Sequence, residues 1–218
     1  MKKEKAIIIE MLIKSINKVQ SHYYGINNPR RENGQIIGYA RKRVFPERNF
    51  CTNLYLHFLK EMKSSDLDIG EKFFLDEEIY KKFSYGNNND ENFNKTREKL
   101  KISKTGMRPD LVLHASQQER NIEGQLLILE CKIDPSLKEK EFYDDYFKLN
   151  YYKSELNFQN SVYLIVNNTK DKICTYLSNY NYKEKYWETP KGRVEILIKE
   201  NYDSECINLI SETSSLAG

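Results

Sequence analysis

The chain is poor in histidine, with only His22, His57 and His114 among 218 residues, and it has one tryptophan, Trp187. Chemistry built on a histidine base is thinly supplied. Its four cysteines, Cys51, Cys131, Cys174 and Cys206, are far apart, with no Cys-x-x-Cys pair and no histidines beside them. That spacing argues against a zinc site and against a disulfide scaffold, and makes a reducing cytoplasm the expected compartment. No apolar run approaches the roughly 20 residues needed to cross a bilayer. The run at 6–9 is short and ends at Glu10, so neither a membrane span nor a secretory leader is expected. A strong charge of one sign is also missing. With 35 Lys+Arg against 32 Asp+Glu, any contact with a polyanion must come from a local patch.

What is present suffices for a folded domain. Hydrophobic residues make up 39% of the chain, including 16 Tyr and 10 Phe, enough bulk to fill a core despite 31% charged residues. A length of 218 residues fits one compact unit. We read it as an N-terminal helix and basic loop (1–45), a central core (46–166) and a C-terminal helix with strands (167–218).

Ile7, Ile8, Met11, Leu12, Ile16 and Val19 recur at helical spacing, which predicts an opening amphipathic helix that stops near Tyr24 and Gly25. The stretch 27–43 mixes Pro29, Gly34 and Gly38 with five basic residues and reads as a loop or short hairpin. Phe50, Leu54, Tyr55, Phe58, Leu59 and Met62 mark a second helix after Pro46, with Glu47 in its first turn, where the helix dipole favours an acid. A strand or hairpin is expected around 73–80, then a polar turn-like segment at 86–90. Lys95, Arg97, Lys99, Lys101, Lys104 and Arg108 form the densest basic tract, the surface best suited to a polyanion.

The second half alternates. Strands are expected at 110–114, 125–133 and 161–166, with helices at 137–156 and 171–182, and strands at 194–198 and 206–210. The apolar runs 126–129 and 162–166 look like strands buried on both faces, as in a mixed α/β sheet covered by helices.

Two short segments carry the chemistry: Pro109-Asp110 and Glu130-Cys131-Lys132. Strand side chains alternate, so Glu130 and Lys132 share one face while Leu129, Cys131 and Ile133 take the other. A charged pair ending an apolar central strand is costly to desolvate unless it faces a cleft or a ligand. If Asp110 opens the neighbouring strand, its carboxylate lies beside that of Glu130, and two such groups repel unless a divalent cation separates them. Oxygen donors of this kind suit Mg²⁺ or Mn²⁺.

In these residues the chain resembles the PD-(D/E)XK nuclease superfamily, with its restriction-endonuclease-like fold. The likeness rests on Pro109-Asp110, on Glu130-Cys131-Lys132 at the end of an apolar strand, and on a following helix containing Asp145-Tyr146-Phe147-Lys148-Leu149. It also draws on Glu47-Arg48-Asn49 and on Glu78, and covers about 46–166. Pro-Asp occurs once in the chain. The acid-x-Lys pattern also occurs at Glu61-Met62-Lys63, within a helical stretch where a solvated face explains it.

The resemblance implies an α/β fold with a central mixed sheet flanked by helices, and a Mg²⁺-dependent (or Mn²⁺-dependent) nuclease, with DNA rather than RNA as the expected substrate. Asp110 and Glu130 would hold the metal with the backbone carbonyl of Cys131, and Lys132 would orient the attacking water or offset charge on phosphorus. Glu47 is either a helper acid reaching the metal through water or a plain first-turn acid. Glu78 is a second candidate helper, with Glu77 expected to face solvent. Lys148 is either a phosphate-facing cation or half of a surface ion pair with Asp145. Arg48, Lys104 and Arg108 would contact nucleic-acid backbone. His114 shares the Asp110 face but reads as a satisfied edge residue. Trp187 and Tyr176, Tyr180, Tyr182 and Tyr186 read as packing or as stacking platforms. A homodimer, or a subunit of a larger complex in bacterial or phage defence, restriction or recombination, is expected by analogy. The competing reading is an inactive nuclease-fold protein that binds nucleic acid or a partner.

Overall fold

The computed structural model describes residues 2–25, 29–32, 35–39, 47–65, 73–77, 109–115, 124–155, 157–179 and 194–209. Helix α1 spans Lys2–Lys18 and is followed by a 3-10 turn at Ser21–Tyr24, which ends at Gly25 with φ 113°, a conformation that glycine adopts without strain. Strands β1 (Pro29–Glu32) and β2 (Gln35–Tyr39) pair antiparallel, so the basic stretch is a hairpin rather than a loop. Arg41, Lys42 and Arg43 lie outside the described residues.

Helix α2 (Glu47–Lys63) is followed by β3 (Phe73–Glu77), β4 (Leu111–Ala115), β5 (Gln125–Lys132), α3 (Glu139–Glu155), β6 (Asn160–Val166), α4 (Lys170–Ser178), β7 (Glu195–Lys199) and β8 (Ile207–Asn208). The strands β3 to β8 form one mixed sheet in sequential order. Pairing is antiparallel from β3 to β5, parallel from β5 through β6 to β7, and antiparallel again to β8. The β5–α3–β6 unit is therefore the crossover that parallel neighbours require.

Alternation along the strands builds two cores. Leu111, Leu113, Leu127, Leu129, Cys131, Val162, Leu164 and Leu197 face α1 and α2, whose buried rows are Ile8, Met11, Leu12, Ile16 and Phe50, Leu54, Phe58, Met62. Val112, Ile128, Tyr163, Ile165, Ile196 and Ile198 face the opposite way, against Phe142, Leu149 and Tyr152 of α3 and Ile173 of α4. A sheet covered on both faces explains why the central strands read as unbroken apolar runs. Helix α4 begins under the Thr169 cap, whose hydroxyl accepts from the Lys172 N–H at 3.3 Å.

Several boundaries differ from expectation. The last helix stops at Ser178 rather than 182, where the Asn179 N–H turns back to the Tyr176 carbonyl. The final strand is two residues long, and β3 is described only to Glu77. The rest of 73–80, the polar segment 86–90 and the basic tract 95–108 lie outside the described residues. The only glycine set hard against a neighbour among them is Gly124, where an added Cβ would stand 2.2 Å from the Ala115 Cβ.

The loops at the carboxyl ends of β5 and β6 are tied to the amino-terminal turn. Asn167, with φ 59°, donates from its side-chain amide to the carbonyls of Tyr24 at 2.7 Å and Ile133 at 2.9 Å. Among the described residues no helix is long and apolar enough to cross a membrane.

Candidate active site

Asp110 stands immediately before β4. The β4/β5 register pairs Leu111 with Leu129 and Val112 with Ile128, so continuing it by one residue sets Asp110 opposite Glu130. The Asp110 N–H donates to the Leu129 carbonyl at 3.1 Å, and the Cys131 N–H donates back to the Asp110 carboxylate at 2.6 Å. Glu130 and Lys132 lie on the α3 side of β5, opposite in sense to Leu129 and Cys131. The two segments singled out in the sequence thus meet at one end of β4 and β5.

Helix α2 brings Glu47 from the other side of the gap, and its carboxylate lies 3.2 Å from the Lys132 ammonium. Helix α3 supplies Asp145, one oxygen 3.5 Å from Lys132 and the other 2.5 Å from Lys148. Lys148 thus forms the ion pair with Asp145, its own side chain half-buried and the Asp145 carboxylate buried. Asp145 is the residue that sequence reasoning missed as a site member. Its signal was there: it falls three after Phe142 and four before Leu149, on the row of α3 that should be apolar.

Electrostatics follow from burial. Glu130 is 6% exposed, and desolvation, together with the charges of Asp110 and Asp145, raises its carboxyl well above the ordinary range. Burial likewise pushes Asp110 up to about 6, against the lowering effect of the Cys131 N–H and with added repulsion from Glu47. Burial works against the Lys132 ammonium, but Asp145, Glu47, Glu130 and Asp110 outweigh it and hold the amine charged. The same opposition of burial and Asp145 leaves Lys148 raised. The thiol of Cys131, buried on the opposite face, is pushed well up by desolvation and stays protonated, so it is no nucleophile.

Four carboxylates, Glu47, Asp110, Glu130 and Asp145, thus face two ammonium groups, a formal excess of two negative charges. Asp110 and Glu130 are oxygen donors of the kind that Mg²⁺ takes, one or two carboxylates with several waters retained, and their raised carboxyls come from burial first and from neighbouring charge second. Among the described residues no group of three or more His, Cys, Asp or Glu side chains is arranged to hold a metal ion.

The remaining candidates divide. A cleft beside Asp110 is lined by Arg48, Cys51, Thr52 and Glu77, so Arg48 reaches the site from the first turn of α2. Glu77 is exposed as expected, yet it rims this cleft and accepts from the Thr52 hydroxyl at 3.5 Å. Glu78, Lys104 and Arg108 lie outside the described residues, as do Tyr180, Tyr182, Tyr186 and Trp187. His114 is buried, its ring nitrogens 2.7 Å from the Asp76 carboxylate and 2.7 Å from the Ala115 carbonyl, a satisfied residue near the end of β4. Tyr176 is a packing residue, its ring against Phe142 and its hydroxyl donating to the Leu137 carbonyl at 2.9 Å. Glu61 pairs with Lys18 between α2 and α1, away from the cluster.

In comparison with known proteins, no family model matches the chain, and no curated protein and no solved structure matches it.

Proposed function

We propose that the chain is a divalent-metal-dependent nuclease of the PD-(D/E)XK type, hydrolysing phosphodiester bonds in DNA, on a restriction-endonuclease-like fold. One observation carries the reading: Asp110 and Glu130 are opposed in register across β4 and β5, with Lys132 two residues along on the face of Glu130. The order of elements supports it too, since a helix, three antiparallel strands, a crossover helix and a parallel strand run from α2 to β6.

Phosphodiesters resist attack because their oxygens are already negative. A bound Mg²⁺ or Mn²⁺ supplies charge neutralisation and an acidified water. Asp110 and Glu130 would hold it, with the backbone carbonyl of Cys131, next to Glu130 on β5, as a third ligand. Glu47 would reach the same centre through water, and its carboxylate pairs with the Lys132 ammonium at 3.2 Å. Lys132 holds the attacking water in line or offsets charge building on phosphorus. Arg48 at the cleft positions nucleic-acid backbone without reading bases.

The test is a panel of labelled single- and double-stranded DNA and RNA incubated with Mg²⁺, Mn²⁺ or chelator. The expected result is cleavage only with metal, abolished in Asp110→Ala. Metal-independent gel shifts without cleavage in any lane would instead favour a binding protein on the same scaffold.

A further inference from the structure

The buried row of α3 is apolar at Phe142, Leu149 and Tyr152, and Asp145 sits in that row. An apolar residue there would simply extend the core. A carboxylate is tolerated only if its charge is matched, and both of its oxygens are used: one on Lys148 at 2.5 Å, the other toward Lys132 at 3.5 Å. Lys132 also meets Glu47 at 3.2 Å, so the chain Glu47, Lys132, Asp145, Lys148 spans α2, β5 and α3. Asp145 is only 5% exposed, one turn along α3 from Phe142, whose ring stacks on the fully buried Tyr163 with centroids 5.4 Å apart.

We propose that Asp145 is a positioning residue, which binds two mutually repelling lysines of β5 and α3 to one carboxylate and so presents both ammonium groups to the phosphate. The inference rests on the nuclease reading above. Lysine is a point charge on a flexible four-carbon stem, and left alone two such groups move apart into water. Bound to one rigid carboxylate they stay on the side of the site where charge develops during phosphoryl transfer, without reorganising as it does so. Asp145 touches neither substrate nor metal in this scheme and acts through Lys132 and Lys148.

A purely structural role predicts something different. Removing one partner of a buried ion pair leaves the other charge uncompensated and is destabilising. Asp145→Leu and Asp145→Asn should then melt well below the wild-type temperature, and the fraction that stays folded should cut DNA normally. Positioning predicts that both variants stay folded and bind Mn²⁺ as wild type, while kcat on a labelled DNA oligonucleotide falls about 100-fold with KM little changed. Retained kcat, or a loss that only follows unfolding, overturns the inference.

A second readout is independent of turnover. Competitive labelling of the folded protein with acetic anhydride, read by peptide mass spectrometry, should find Lys132 and Lys148 slow in wild type and faster at both sites in Asp145→Asn, with Lys140 on the exposed side of α3 as the reference. Labelling that does not change overturns the inference whether or not DNA is cut. Slow wild-type labelling that rises in the variant, in a protein that cuts nothing, overturns the nuclease reading alone.

Discussion

Asp110 and Cys131 are joined by a hydrogen bond of 2.6 Å, from the backbone N–H of the cysteine to the carboxylate of the aspartate. The bond crosses from the residue preceding β4 to the peptide between Glu130 and Lys132. It anchors one oxygen of Asp110 to the strand that carries the other acid and the amine, and leaves the second oxygen for the cleft that Asp110 lines.

Replacing Asp110 should therefore separate structure from chemistry. Asp110→Asn can still accept from the Cys131 N–H, whereas Asp110→Ala leaves that donor without its partner, at a cost of about 1–3 kcal/mol. Both variants should be inactive, with Asn the more stable of the two in urea unfolding. Equal stability of the two would show that the bond contributes nothing to the fold.

The raised carboxyls set a pH dependence for the metal-free protein. Asp110 moves from 3.8 to about 6 on folding, and Glu130 moves in the same direction. The unfolded chain thus releases these protons first, and folding loses stability as pH rises through that window. For Asp110 alone the loss is on the order of 2–3 kcal/mol. Thermal melts in chelator should fall from about pH 4 through pH 6, less so in Asp110→Asn, and Mg²⁺ should raise the melting temperature at pH 7.5 but not at pH 5. A flat profile, or one that rises with pH, contradicts the assignment.

Lys132→Met keeps the stem and removes the charge. Cleavage should drop by about 10²–10³, the range for losing one preorganised charge-stabilising group. Mn²⁺ binding, followed by titration, should persist or tighten, because the cluster then carries one positive charge fewer. Loss of metal binding would mean that Lys132 supports the site as scaffolding.

Gly124→Ala tests the packing at the start of β5. The new methyl would meet the Ala115 Cβ at 2.2 Å, and neither atom belongs to a flexible side chain, so the backbone must give. A loss of about 1–3 kcal/mol is expected, with cleavage per folded molecule unchanged. Ala115→Gly in the same chain should restore part of it.

The sheet was legible because its central strands are buried on both faces. The runs at 126–129 and 162–166 have no polar interruption, and β5 and β6 form there within a residue or two of the expected limits. Alternation alone put Glu130 and Lys132 together, and the single Pro-Asp placed their partner. Asp145 was harder to see because Asp144 precedes it. Asp144 pairs with Lys140 at 2.5 Å on the exposed side of α3, and spacing by itself does not say which of two adjacent acids turns inward. The row of large apolar residues does. The overestimate of α4 has a similar cause: tyrosines at 180 and 182 prolong a plausible pattern, while the turn at Asn179 ends the helix through backbone hydrogen bonding that hydrophobic spacing does not register.

Asn167 has a mechanical consequence. One amide clasps the carbonyls of Tyr24 and Ile133, residues more than a hundred positions apart, and Ile133 is the peptide directly after Lys132. Shear between the amino-terminal turn and the exit of β5 must rupture at least one of the two contacts, so a tug on that turn is delivered one residue from Lys132.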